Sequence, residues 1–290
     1  MLHHLALRWR CRARLAPHRM TIDSLPSWRD RLLAFWWRRR WRGFHTSRRV
    51  LPRGLHGDAL RFTTPYGSHF LLDPVSYIDG LVVREGFYES EVLDALCARL
   101  HPGSVCWDIG ANFGLHATTL ARLVPEATII AFEPNPAEHS RLLRHRAWNS
   151  PQLITSSLAL SDSAAFLPLH LGPAGNSGMT TLVPWSQATY TGTVLVATAS
   201  GDELIARGTF PAPHVVKLDV EGHEPAVLRG LSCALASPRC ELVVFEDHID
   251  DASPAKKLLR TAGFTLSPLI RHEQTDHALA NFVAEKRPPA

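Results

Sequence analysis

The segment Val105-Cys-Trp-Asp-Ile-Gly-Ala-Asn-Phe-Gly114 decides the fold. An apolar run suited to a buried strand enters a turn with glycines at 110 and 114, and helical spacing begins at Leu115. A strand leading through a glycine-rich turn into a helix opens a β-α-β unit, whose ligands bind beyond the carboxyl ends of the strands. Gly110 and Gly114 permit a tight turn and a close backbone approach. Asp108, at the strand's end, can accept hydrogen bonds or neutralise an ammonium. The spacing departs from the dinucleotide pattern G-x-G-x-x-G, because Asn112 stands where the second glycine would be and would crowd a pyrophosphate.

Outward from this segment, strands and helices alternate. Residues 127–132, 153–158, 214–218 and 241–245 read as strands, and 115–123, 136–148, 224–231 and 254–262 as helices. Upstream, 60–62 and 69–72 read as a short hairpin around Pro65-Tyr66-Gly67, and 89–100 as a helix stopped by His101-Pro102-Gly103. Residues 264–270 and 278–284 read as two closing strands in an antiparallel pair. The expected architecture is α/β: a mostly parallel sheet with helices on both faces. The stretch 172–193 is irregular, and its polar run Asn176-Ser-Gly178-Met-Thr-Thr181 suits a lid or an acceptor-side wall.

Two further strand ends carry chemistry. In Ala131-Phe-Glu-Pro-Asn-Pro136, Glu133 follows the glycine turn by about 20 residues, where a ribose hydroxyl pair is bound in such sheets, and Pro136 suits the first position of a helix. In His214-Val-Val-Lys-Leu-Asp-Val-Glu-Gly-His-Glu224, period-two alternation places Lys217 and Asp219 on one face. That stretch gathers Lys217, Asp219, Glu221, His223 and Glu224 at one strand end, a density of titratable groups typical of functional sites.

The order D-x-G-A-N-x-G (Asp108 to Gly114), F-E-P-N-P (Phe132 to Pro136), A-L-S-D (Ala159 to Asp162) and K-L-D-V-E-G-H-E (Lys217 to Glu224) resembles the FkbM family of S-adenosylmethionine (SAM)-dependent methyltransferases. Upstream, Gly86-Phe-Tyr-Glu89 resembles the family's G-x-Y-E. The resemblance spans roughly residues 75–250. It implies a Rossmann-like class I methyltransferase with a seven-stranded, mostly parallel sheet and an antiparallel terminal strand. By the same carry-over Asp108, Gly110, Asn112 and Gly114 border the methionine part of SAM, Glu133 binds the ribose, and Ser161 with Asp162 lies near the adenine. Asp219 would face the methyl-transfer cavity. The acceptor implied is a hydroxyl on a sugar, glycan or natural product.

Transfer to a hydroxyl requires alignment and removal of a proton. His223, with an ordinary pKa near neutrality, and Asp219 are the two candidate bases. A divalent ion held by Asp219, Glu221 and Glu224 is a third arrangement, although no metal site is expected. His116 reads as a packing histidine. An NAD-dependent oxidoreductase and a non-enzymatic scaffold that docks through a basic arm are the competing functions.

That arm comprises residues 1–55, an Arg/Trp-rich extension ahead of a domain spanning 56–290. Fourteen of the 31 basic side chains but three of the 27 acids fall within residues 1–60, so the remainder is mildly acidic. An acidic body disfavours nucleic acid as a partner. Residues 28–42 suit a helix lying on an anionic membrane, or one packing on its own domain or a partner. The arginine-rich, acid-poor start is also that of an organelle transit peptide, and Met20 is an alternative start. Five cysteines without a C-x-x-C pair suit a reducing compartment. The expected location is the cytoplasm, with peripheral membrane contact through the arm.

Overall fold

The computed structural model describes residues 60–73, 76–249, 253–269 and 279–286. The basic extension and the 271–277 turn lie outside these residues. The main sheet has seven strands: β3 (Val105–Ile109), β4 (Thr128–Phe132), β5 (Ile154–Ser156), β9 (Val215–Leu218), β10 (Leu242–His248), β11 (Thr265–Pro268) and β12 (Leu279–Glu285). Their spatial order is β11-β12-β10-β9-β3-β4-β5. β10, β9, β3, β4 and β5 are parallel, whereas β12, the chain's last strand, runs antiparallel between β10 and β11. This is the class I methyltransferase sheet. The chain lays down β3, β4 and β5 in one direction, then returns to place β9 on the other side of β3. The crevice at that reversal lies between β3 and β9, where such sheets bind their ligands.

Two hydrophobic cores sandwich the sheet. One packs the hairpin β1 (Leu60–Thr63) and β2 (His69–Leu72) with helices Tyr77–Glu85, Ser90–Cys97 and Leu115–Leu123. The other packs helices Gly201–Ala206, Glu224–Gly230, Ser232–Ala236 and Pro254–Thr261 around Trp107. Trp107 is fully buried and donates its indole N–H to the Pro211 carbonyl at 3.1 Å, so its one polar atom is satisfied. Helix Pro136–Asn149 is fixed by its sequence: Asn135 caps it through the Ala137 N–H, and Pro136 takes a first-turn position. Arg141 on this helix pairs with buried Asp79 and with Glu138, tying it to helix Tyr77–Glu85.

The stretch after β5 departs from expectation. Residues 153–158 hold only the short β5. A separate three-stranded sheet follows, β6 (Ala159–Ser161), β7 (Ala165–Leu171) and β8 (Gly192–Ser200), ordered β6-β8-β7. β7 contains Pro168, which is tolerated because β7 is an edge strand: it pairs with β8, and its other edge carries a single bridge, from His170 to Thr181, among the described residues. The long β7–β8 connection carries a single 3-10 turn at Ser177–Met179. Among the described residues, no helix is long and apolar enough to cross a membrane.

Candidate active site

Three loops close over the crevice. The turn after β3 and the turn after β9 touch: Asp219 N–H donates to the Ile109 carbonyl at 3.0 Å. Gly110 has a φ of 81°, and a Cβ there would overlap the carbonyl oxygen of Asp219. Glycine is thus demanded at 110 by the crossing of two backbones. Gly114 serves packing, since a Cβ would run into Leu142 of helix Pro136–Asn149. The third loop follows β4, where Gly110 and Ala111 both donate to the Phe132 carbonyl.

These loops line one cavity together with Glu89, Leu160, His116 and the Thr180–Leu182 stretch. Among the described residues, the non-glycine residues in left-handed backbone are Glu89, Asn112 and Glu221, with φ of 56°, 51° and 54°. All three line this cavity. Such conformations cost roughly 1–3 kcal/mol each and cluster where function requires them.

One side of the cavity is built from hydrogen-bond acceptors. The Glu133 carboxylate takes the Asn112 N–H at 2.6 Å and the Asn135 N–H at 2.8 Å, which fixes it at the cavity wall. Burial pushes its pKa up to about 8 despite those two donors. Each oxygen keeps lone pairs for further donors. Asp108 is fully buried, neither of its oxygens has a hydrogen-bond partner among the described residues, and Lys217 Nζ lies 3.5 Å from Oδ1. Ser161 is buried with its hydroxyl 3.0 Å from His223 Nε2, whereas Asp162 is exposed and pairs with Arg229. These two follow Leu158, Ala159 and Leu160, which line the cavity; they themselves are not among its lining residues.

The opposite side is carboxylate-rich. One oxygen from each of Asp219, Glu221 and Glu246 falls within 4.8 Å of the others. Lys217 Nζ sits 3.1 Å from Asp219 Oδ2. Burial works against the charge of Lys217, but Asp219 and Asp108 outweigh it and raise the pKa. Burial first, then repulsion from Asp219, Glu246, Glu224 and Glu89, pushes Glu221 up to about 9. Glu224, expected beside Asp219 and Glu221, instead accepts from the Val220 N–H at 3.1 Å; Glu246 takes its place in the triad. His223 occupies the cap of helix Glu224–Gly230 without making a side-chain capping bond. Its ring lines the cavity beside Ser161, and burial lowers its pKa. His116 lines the cavity too, its Nε2 3.3 Å from the Glu89 carbonyl, and burial lowers it to about 4, so it is neutral.

Asp108, Gly110, Asn112, Gly114, Glu133, Asp219 and His223 therefore converge at one end of the sheet. Sequence reading passed over Glu246 as a site residue, although an acid directly after the apolar run of β10 is the same strand-end signal that marks Glu133. Glu89 had a signal as well, the G-x-Y-E stretch.

Sheet order, reversal point and loop content define a class I methyltransferase. The Methyltransferase FkbM domain matches residues 108–266, more than half of the chain. Over 193 residues the chain is 31% identical to hexuronic acid methyltransferase AglP of Haloferax volcanii, covering 67% of this chain and 76% of that protein. It is 27% identical to Methyltransferase 1 of Beauveria bassiana, over 62% of this chain and 81% of that one. Among solved structures, precorrin-6Y C5,15-methyltransferase of Geobacter metallireducens is similar with a TM-score of 0.45 and 16% identity, covering 68% and 87% of the two chains. The chain belongs to the FkbM methyltransferase family. That membership sets aside the oxidoreductase reading.

Proposed function

We infer that this protein transfers the methyl group of SAM to a hydroxyl oxygen of a sugar-containing acceptor. The observation that carries this reading is the crossing of Gly110 and Asp219, which joins a donor-binding wall to an acidic wall across a single cavity. SAM fits the donor wall chemically. Glu133 offers carboxyl lone pairs to the ribose hydroxyls, and buried Asp108, whose oxygens take no hydrogen bond from the described residues, offers acceptors toward the methionine end. Gly110, Asn112 and Gly114 shape the turn between them, and residues 158–160, which line the cavity just before Ser161 and Asp162, fall to the adenine. The sugar assignment draws on the name of the Haloferax volcanii relative.

When bound, SAM supplies an electrophilic methyl carbon on sulfur. The chain's task is to align the acceptor oxygen and to take its proton as the new C–O bond forms and the C–S pair stays with sulfur. Asp219 is the residue assigned to that proton. It is half-buried on the acidic wall, with Lys217 Nζ 3.1 Å from its Oδ2. Glu221, with its pKa near 9, is already protonated at neutral pH and orients the acceptor by donating a hydrogen bond. His223, turned to Ser161, is a positioning residue on the donor side, not the base.

Calorimetry with SAM and its demethylated product tests the donor reading. Wild-type protein is expected to bind both, and Glu133→Ala to lose about tenfold or more in affinity, since it removes two hydrogen bonds worth about 0.5–1.5 kcal/mol each. Absence of binding to the wild type would sink the proposal.

A further inference from the structure

Glu89 lines the cavity but takes no part in the transfer chemistry described above. It occupies the cap position of helix Ser90–Cys97, where a short polar side chain ordinarily accepts a backbone N–H of the first turn. Glu89 makes no such bond, and its backbone is left-handed, with φ of 56° and ψ of 52°. Glycine or asparagine would sit there with less strain. The side chain is held from across the fold: buried Asn281 of β12 donates its amide N–H to Glu89 Oε1 at 2.9 Å. The backbone is held as well, its carbonyl 3.3 Å from His116 Nε2 in the first turn of helix Leu115–Leu123. A strained residue anchored at both ends is one whose side chain is being aimed.

Its place in the cavity decides what it meets. A donor whose ribose lies at Glu133, after β4, crosses the turn after β3 and carries its methionine end over β9. Asp108 and Lys217 are register partners there, each two residues beyond Cys106 and Val215, which pack in the core with helices Ser90–Cys97 and Leu115–Leu123. Glu89 heads the first of those helices. Against the cost of burial, Asp219, Asp108 and then Glu89 favour the charged form of Lys217, so Glu89 faces the same ammonium as they do. The methionine end is a zwitterion whose α-ammonium has three N–H donors and no acceptor, so it calls for a carboxyl oxygen in the wall. The other acids have other work. Asp219 and Asp108 share Lys217 at 3.1 and 3.5 Å, Glu246 stands in the triad, and Glu133 takes the Asn112 and Asn135 N–H groups at the ribose end. Glu221, with its pKa near 9, keeps its own proton at neutral pH. His116 beside Glu89 is neutral and sets no like charge against an incoming ammonium.

We propose that Glu89 seats the α-ammonium of the donor's methionine end and that Asn281 is a positioning residue that aims its carboxyl group. The proposal rests on the methyltransferase reading above and adds a donor-recognition residue to it. Calorimetry on the full chain tests it with four probes. These are S-adenosylhomocysteine, its decarboxylated analogue, its analogue without the α-amino group, and methylthioadenosine, which lacks the amino-acid end. Wild-type protein is expected to bind S-adenosylhomocysteine about tenfold or more tightly than the analogue without the amino group. Glu89→Gln keeps the size of the side chain and removes its charge. It should weaken both amino-bearing probes about tenfold to a hundredfold and leave the other two within about twofold. Asn281→Ala should shrink the same preference about threefold or more, and Asn281→Ser, which keeps a donor, should shrink it less. Methylthioadenosine binding reports that each variant has folded, and the wild-type comparison of probes stands without any variant. No wild-type preference for the amino group, a Glu89→Gln protein that keeps the preference, or an equal loss across all four probes overturns this proposal alone. Failure of every probe to bind the wild type overturns the reading on which it rests.

Discussion

Asp219 and His223 show how two residues four apart acquire different work. Asp219 ends on the acidic wall with Lys217 at 3.1 Å, while the His223 ring turns to Ser161. Asp219→Asn keeps the shape and leaves Lys217 its contact with Asp108, but removes the proton acceptor. With an acceptor that the wild type methylates, kcat is expected to fall about 10²–10⁴-fold with donor affinity nearly unchanged. His223→Asn should do the reverse, raising the donor KM more than it lowers kcat. Rapid-quench transfer of a labelled methyl group separates the two, and a full-rate Asp219→Asn enzyme would remove Asp219 from the role.

At the scale of elements, the sites that were legible in the sequence are those encoded within one strand and its following turn. Val105–Ile109 and Leu115–Leu123 coincide with the expected bounds because a buried strand and an amphipathic helix meet at glycines. Asp108, Glu133 and Asp219 are strand-end acids and read the same way. What escaped depends on partners distant in sequence. β7 carries an internal proline and an outward Phe166 that is 76% exposed, so no alternation marks it, and β8 pairs with it across 20 intervening residues. Helix Tyr77–Glu85 hides its signal behind Gly80 and a buried acid, Asp79, whose charge makes sense only against Arg141 from another helix. The turns themselves can be probed by a pair of glycines. Gly110 and Gly103 have nearly the same φ, 81° and 82°, but a Cβ at 103 meets nothing within 4 Å. Gly103→Ala is expected to cost about 1 kcal/mol from backbone strain alone, and Gly110→Ala at least about 3 kcal/mol, because it also forces the β3 and β9 turns apart. Urea unfolding of the two variants measures the difference; equal losses would mean that the crossing is not tight.

Across the whole molecule, the price of gathering acids in one cleft is a stability that depends on pH. Glu221, Glu133 and Glu224 have pKa values pushed up to about 9, 8 and 7 by burial, from an ordinary 4.5. Between those limits the native state holds protons that the unfolded chain has released. Their contribution is therefore complete below about pH 4.5 and is lost as pH rises through the folded values. His116 and His145, both lowered to about 4, act with the opposite sign, but only below their unfolded pKa of 6.5. Above pH 6.5 the carboxylates act without that opposition. The donor-free protein should show a thermal midpoint that falls steadily from pH 6.5 to about pH 8.5, and Glu221→Gln should flatten the fall. A flat or rising profile in the wild type would contradict the burial of these groups.

The bond from Thr181 to the Glu221 carbonyl, together with that from the Tyr77 N–H to the Gly175 carbonyl at 2.6 Å, makes the β7–β8 connection an appliqué stitched to the turn after β9 and to helix Tyr77–Glu85. Because its residues are contiguous in the chain and contribute nothing to the parallel strands of the main sheet, substitutions along this passage reshape one rim of the cavity while the strands and their turns keep their places.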